Sequence, residues 1–270
     1  MIAALAIVVA AVALSAIMAL AWLTALRTGR SGLIDAIWTF AVGACGVAGA
    51  IAPFGSTDTV NARQWLVAGL AAIWSLRLGI HITARSLRNG DDPRYKQLRE
   101  EWGDNFQRRL FWFLQIQAAA ALVLVVTVMA AARRPTPGLG LGDLLGVVIF
   151  LVAVAGEMLA DQQLSRFGAA PENKGKVCDI GLWRFSRHPN YFFEWLGWAG
   201  YVLIAIDFSA TYWFGWLALA GPGLMYWLLV HVSGIPPLEA HMLRSRGDLF
   251  RDYQRRVNAF WPGSPRVSPS

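Results

Sequence analysis

Uninterrupted apolar runs, each about as long as a bilayer is thick, constrain this chain more than any other feature in it. Seven can be counted, at Ile2–Leu26, Leu33–Ala52, Trp65–Thr83, Phe111–Ala132, Leu141–Ala160, Tyr191–Ile206 and Tyr212–Val232. Each is near the roughly 20 residues that a helix needs to cross the hydrocarbon layer. A backbone amide finds no water there, so its hydrogen bonds must close within the segment, which selects helices over open strands. The sequence therefore predicts an all-α polytopic membrane protein with seven transmembrane helices, one membrane domain over residues 1–262. Only 15% of the 270 residues are charged and mean hydropathy is +0.44, against about 25% charged in a soluble domain. Met1–Ala25 is apolar like a signal sequence, but no basic residue precedes it and Arg27 and Arg30 follow, so it reads as a retained first span.

A net charge of +7 raises the question of nucleic acid, and the placement of the charge answers it. The loops after the first, third, fifth and seventh runs hold 20 Lys and Arg, whereas the alternate loops hold 3, namely Arg63, Arg133 and Arg134. Such alternation is the positive-inside pattern, with the N-terminus outside and the C-terminus cytoplasmic. That placement points to a membrane and its lipid, not to nucleic acid. Cys45 and Cys178 offer neither a disulfide framework nor metal-ligand spacing. Asn89–Arg109 reads as a short interfacial helix. Leu238–Phe260 reads as an amphipathic helix at the membrane surface, presenting Leu238, Met242, Leu249, Tyr253, Val257 and Phe260. The Pro/Ser-rich tail Pro262–Ser270 reads as disordered.

Polar residues inside apolar runs are costly and usually face a cavity or a partner. Asp35 opens the second run. Arg77 and His81 lie four apart in the third, with Arg85 a turn further on. Glu157 and Asp161 lie four apart at the end of the fifth, and Asn190 and Glu194 open the sixth with Tyr191 between them. A spacing of four puts each pair on one helical face. Between the fifth and sixth runs lies a basic loop carrying Lys174, Lys176, Arg184, Arg187 and His188. Gathered at the cytoplasmic ends of a bundle, these residues would line a cavity suited to a large anionic cofactor meeting a lipid-dissolved substrate. No Rossmann or phosphate-loop glycine pattern is present, so such a cofactor would need another binding device. Plainer roles exist for several of them: Asp35 also suits a helix cap, His81 a packed histidine, and Glu157 with Asp161 a pairing with Arg166.

The run Asn173-Lys-Gly-Lys-Val-Cys-Asp-Ile-Gly-Leu-Trp-Arg-Phe-Ser-Arg-His-Pro-Asn-Tyr-Phe-Phe-Glu194 resembles the signature of the steroid 5-alpha-reductase-like family, more narrowly its bacterial membrane branch. Glu157-x-x-x-Asp161-Gln-Gln-Leu, Ser233-Gly-Ile-Pro-Pro-Leu-Glu239, Phe250-x-x-Tyr253 and Phe260-Trp-Pro262 support the likeness. The resemblance implies seven helices in the bacterial inner membrane, an NADPH cavity facing the cytoplasm, and reduction of the carbon–carbon double bond of an enone. It assigns the cofactor to Asn190, Tyr191, Glu194, Asp161 with Glu157, and Arg77. The phosphates would fall to Arg184 and Arg187, with Lys174 and Lys176 nearby.

The steroid enzymes polarise the substrate carbonyl with a Glu in the second helix and a Tyr in the third. Here the second run has no Glu, and Trp74 stands where that Tyr is expected. Candidate electrophiles are instead His81, Tyr191 and Asp35. Two other readings compete. Arg187-His-Pro-x-Tyr191 with Glu239, Leu243 and Tyr253 is similar to the isoprenylcysteine carboxyl methyltransferases, which use S-adenosylmethionine. A non-enzymatic lipid-binding or transport protein is the third, though the sequence has no inverted repeat.

Overall fold

A computed structural model describes residues 2–29, 31–52, 59–89, 93–207 and 212–266. The described residues are 82% helical and include no strand. Its α-helices are α1 (Ile2–Thr28), α2 (Ile34–Ile51), α3 (Ala62–Asn89), α4 (Pro93–Trp102), α5 (Phe106–Ala132), α6 (Leu141–Ala169), α7 (Pro189–Ala205), α8 (Ala220–Trp227), α9 (Ile235–Arg246) and α10 (Asp248–Arg256). Six helical stretches are long and apolar enough to cross a membrane: Ala4–Thr28, Ile34–Ile51, Ala62–Leu87, Arg94–Ala132, Leu141–Ala169 and Trp213–Arg246. That is one fewer than the apolar runs predict. The sixth run does form a helix, α7, but its 17 residues span only about 25 Å at 1.5 Å per residue. The chain divides into two compact units, Met1–Leu144 with Tyr201–Gly221, and Leu145–Gly200 with Pro222–Ser270.

In the first unit α2 packs against α3 and α5, and α1 packs against α5. Small residues on α2 permit this closeness. A Cβ added to Gly43 would lie 2.1 Å from the Ser75 Cβ on α3. The second half of α5 supplies the core, with Leu124, Val125, Val128 and Met129 at most 1% exposed. Within the stretch read as an interfacial helix, residues 93–102 form α4, which docks by polar contacts to the start of α2. The Tyr95 hydroxyl donates to Asp35 Oδ1 at 2.9 Å, and Arg94 pairs with the other carboxylate oxygen.

A buried charge cluster, which single loop charges do not reveal, closes the other end of this unit. Asp143 accepts from Arg63 Nε at 2.8 Å and Nη2 at 3.0 Å, from Arg134 Nη2 at 2.6 Å and from the Gly140 amide at 2.7 Å. Arg63 Nη1 also donates to the carbonyls of Arg134 and Thr136. Exposure is 3% for Arg63, 9% for Arg134 and 1% for Asp143.

In the second unit α6 and α7 approach closely. A Cβ on Gly200 would come 2.8 Å from the Gly146 carbonyl. The basic loop between them is tied down at several points. Trp183 Nε1 donates to the Ala160 carbonyl at 3.0 Å, and the Leu182 amide donates to Gln163 Oε1 at 2.9 Å. Residues 185–187 also pair by backbone with the C-terminal segment, Arg187 N to Asn258 O and Gly263 N to Phe185 O, both at 2.9 Å. Residues 262–266 are therefore pinned where disorder was expected, and the tail from 267 on lies outside the described residues. The last apolar run is not a uniform helix. It passes from a 3₁₀ stretch, Trp213–Leu219, through α8 into a wide π turn, Leu228–Val232. Beyond it the expected single amphipathic helix is two, because the helix breaks at Gly247, whose φ of +52° suits glycine. Phe250, Tyr253 and Val257 then form a buried cluster with Val177, Met242 and Leu243 against them.

Candidate functional site

The second unit brings the two expected polar pairs together. Asn190 Nδ2 donates to Asp161 Oδ1 at 3.2 Å, linking the start of α7 to α6. Pro189 is the first helical residue, where its missing N–H costs nothing, and the His188 carbonyl accepts the Phe192 amide at 3.1 Å. Asn190 Oδ1 accepts the Tyr191 amide at 3.1 Å. Glu194 stands one turn after Asn190 on α7 and Glu157 one turn before Asp161 on α6, 7% and 6% exposed. Glu194 Oε1 accepts from Trp198 Nε1 at 2.9 Å. Two carboxylates, an amide and a third, half-exposed carboxylate thus line one α6–α7 seam. Buried acids of this kind persist only with partners.

The cations of the neighbouring loop separate into two kinds. Lys174, Lys176 and Arg184 are exposed, and Arg184 lines a small cleft with Asp179, Arg256 and Pro265. Arg187, expected at a phosphate, is turned inward. Its Nε and Nη2 hold Glu239 at 2.7 and 3.1 Å, and its Nη1 donates to the Gln254 and Val257 carbonyls. That guanidinium is a clasp between the loop and the C-terminal helices. Glu239 also accepts from Gln254 Nε2 at 2.7 Å, and His188 Nε2 lies 3.0 Å from its Oε1.

In the sequence His188 is one more charge of the basic loop, yet it is 3% exposed and its ring stacks on Tyr191 at 5.4 Å and 11°. Burial holds its pKa below the usual histidine value against the opposing pull of Glu239. The signal for Glu239 was its recurrence in the downstream motif, although not its partner. Cys178 is buried, which pushes its thiol pKa up and away from reactivity.

The first unit holds the remaining candidates. Arg77 and His81 lie one turn apart on α3, Arg77 half-buried and His81 exposed. Asp35 receives the Tyr95 and Arg94 hydrogen bonds described above, so both its oxygens already serve the docking of α4. No group of three or more potential metal ligands occurs among the described residues.

Residues 21–257 match a protein family described as "Protein of unknown function (DUF1295)". An uncharacterised protein of Schizosaccharomyces pombe is 24% identical over 233 residues, covering 76% of this chain. The chain spans 65% of the length of that relative. No solved structure matches.

Proposed function

Because the chain belongs to the DUF1295 family, a membrane family related to the steroid 5-alpha-reductases, we propose that it is a membrane reductase. In this reading it uses NADPH to reduce the carbon–carbon double bond of a lipophilic enone. The observation that carries the reading is the Asn190–Asp161 hydrogen bond, which sets an amide and a carboxylate beside Glu157 and Glu194 under a loop of exposed cations. The donor set fits the cofactor at both ends. The half-buried amide of Asn190 and the buried carboxylates of Glu157 and Glu194 match a carboxamide and ribose hydroxyls, whereas Lys174, Lys176 and Arg184 match phosphates. NADPH supplies a hydride when bound. The chain's own part is to bind, to orient and to exclude water. A donor to the substrate carbonyl oxygen would stabilise developing enolate charge, and the Tyr191 hydroxyl is the candidate standing next to Asn190. In this topology α7 and the stretch 213–232 complete seven crossings, with the N-terminus outside and the C-terminus in the cytoplasm of a bacterial inner membrane.

Titration of the purified protein with NADPH, followed by nicotinamide fluorescence, tests the reading. Wild type should bind, and Asn190→Ala with Glu194→Ala should bind at least tenfold more weakly, the loss of about 1.4 kcal/mol. Unaltered binding in the double variant, or no binding by wild type, defeats it. The Arg187-His-Pro-x-Tyr191 and Glu239 pattern favours the methyltransferase as second reading. Thermal stabilisation by S-adenosylmethionine and not by NADPH would select it.

A further inference from the structure

His188 carries one hydrogen-bonding atom that the fold leaves unused. A carboxylate only accepts, so the 3.0 Å contact between His188 Nε2 and Glu239 Oε1 requires the hydrogen on Nε2. Glu239 is held in place to receive it by Arg187 and by Gln254. A second proton on the ring would add positive charge beside the Arg187 guanidinium on the same carboxylate, in a site 3% exposed. The ring is therefore neutral, and Nδ1 is a bare lone pair. That Nδ1 is fully buried and has no hydrogen-bond partner. Buried polar atoms are rarely left so, since each forgoes a hydrogen bond it made in water. The position is fixed from both sides, by the ring stack on Tyr191 and by the His188 amide donating to Ser186 Oγ at 3.2 Å.

We propose that His188 is a ligand-reading residue, whose Nδ1 accepts a hydrogen bond from an uncharged N–H or O–H donor of the molecule bound beside Tyr191. A lone pair repels phosphate and carboxylate oxygens, so this point reads a carboxamide, amine or hydroxyl, while Arg184 and the lysines read the anionic part. Glu239, which never touches the ligand, is a positioning residue that fixes the tautomer. The inference rests on the reductase reading only for the identity of the donor, there the nicotinamide carboxamide or a ribose hydroxyl.

The test is the ¹⁵N spectrum of the full-length protein labelled at its 4 histidines, with His188 assigned by its disappearance in His188→Phe. At neutral pH the expected pattern is one protonated nitrogen, Nε2, and one unprotonated nitrogen, Nδ1. Protonation at Nδ1 overturns the proposal. NADPH, S-adenosylmethionine and 2′,5′-ADP, which lacks nicotinamide, are then added separately. Movement of the Nδ1 resonance toward the hydrogen-bonded position with NADPH but not 2′,5′-ADP identifies the nicotinamide half as donor, and movement with both identifies the adenosine half. Movement with S-adenosylmethionine alone upholds the role of His188 and overturns the reductase reading. An Nδ1 that responds to none of the three overturns the inference, whatever nicotinamide fluorescence shows. In the binding assay His188→Phe keeps a flat ring against Tyr191 and should weaken the active ligand roughly 5- to 100-fold, the effect of burying a donor without its acceptor. Glu239→Gln should weaken it less and shift the tautomer balance, which a merely packing role would not do.

Discussion

Asp143→Asn in the first unit is expected to be among the most damaging single-atom changes available to this protein. The substitution keeps the volume but replaces a carboxylate oxygen with an NH2 group. Asp143 Oδ1 meets only Arg63 Nε, whereas Oδ2 meets Arg63, Arg134 and the Gly140 amide. Either orientation of the new amide therefore points a donor at a guanidinium and leaves two buried cations facing a neutral group. Charge-assisted bonds contribute about 1.5–3 kcal/mol each, but they share one carboxylate and do not add. The better guide is the roughly 3–5 kcal/mol lost when one partner of a buried ion pair is removed. At about 2–4 °C per kcal/mol for a chain of this size, the melting temperature should fall by roughly 6–20 °C. A thermal-shift measurement in detergent reads this directly. Replacing the whole cluster, Arg63→Met, Arg134→Met and Asp143→Leu together, should recover only part of the loss: the desolvation cost of all three charges is removed at once, but the Arg134 and Thr136 carbonyls and the Gly140 amide lose their partners. If Asp143→Asn melts within about 1 °C of wild type, the cluster is hydrated and the reasoning from burial fails.

Other outcomes follow from the same kind of reading. Arg184→Ala should weaken NADPH and 2′,5′-ADP alike and leave the melting temperature unchanged, whereas Arg187→Ala should lower the melting temperature because its partners Glu239, Gln254 and Val257 lose a buried cation. Gly43→Ala should cost about 1–3 kcal/mol by overpacking, seen as a lower melting temperature, because its methyl group would sit 2.1 Å from Ser75 Cβ. Tyr253→Phe removes the hydroxyl that donates to the Trp183 carbonyl and should cost about 1–3 kcal/mol, read by the same assay. His188 has its pKa lowered in the folded state, so the unfolded chain takes up the proton first as pH falls. The stability from its neutral form is complete above the unfolded value of 6.5 and is lost as pH drops below it. Melting temperature should therefore decline on acidification through that range, and less steeply in His188→Phe.

The helices were legible because apolar length is a one-dimensional property, readable without knowing any contact. The same holds for Glu157 with Asp161 and Asn190 with Glu194, where helical periodicity alone sets the shared face. Legibility ended where partners lie far apart in sequence. Arg63 and Asp143 are 80 residues apart; alone, Arg63 looks like an ordinary loop charge and Asp143 like an acid in the first turn of a helix. Arg184 and Arg187 are chemically identical and three residues apart, yet one faces solvent and the other is held by Glu239 across 52 residues. The division of the C-terminal helix at Gly247 turns on a backbone angle, which the apolar spacing of Leu238–Phe260 does not encode. The sixth run likewise gave the helix but not its length: α7 is 17 residues long, ending at Ala205.

The wide turn at Leu228–Val232 has a consequence for everything that comes after it. The Ser233 amide reaches back five residues, to the Leu228 carbonyl at 2.8 Å, so the helix holds one residue more than a regular turn would take. The surplus residue also sets how far along the chain α9 begins, three residues after the turn. Glu239 reaches Arg187 and His188 from the first turn and a half of that helix. Removing a single residue between 228 and 232 should shorten this connection and draw the carboxylate away from its clasp, without altering one side chain in the cluster itself.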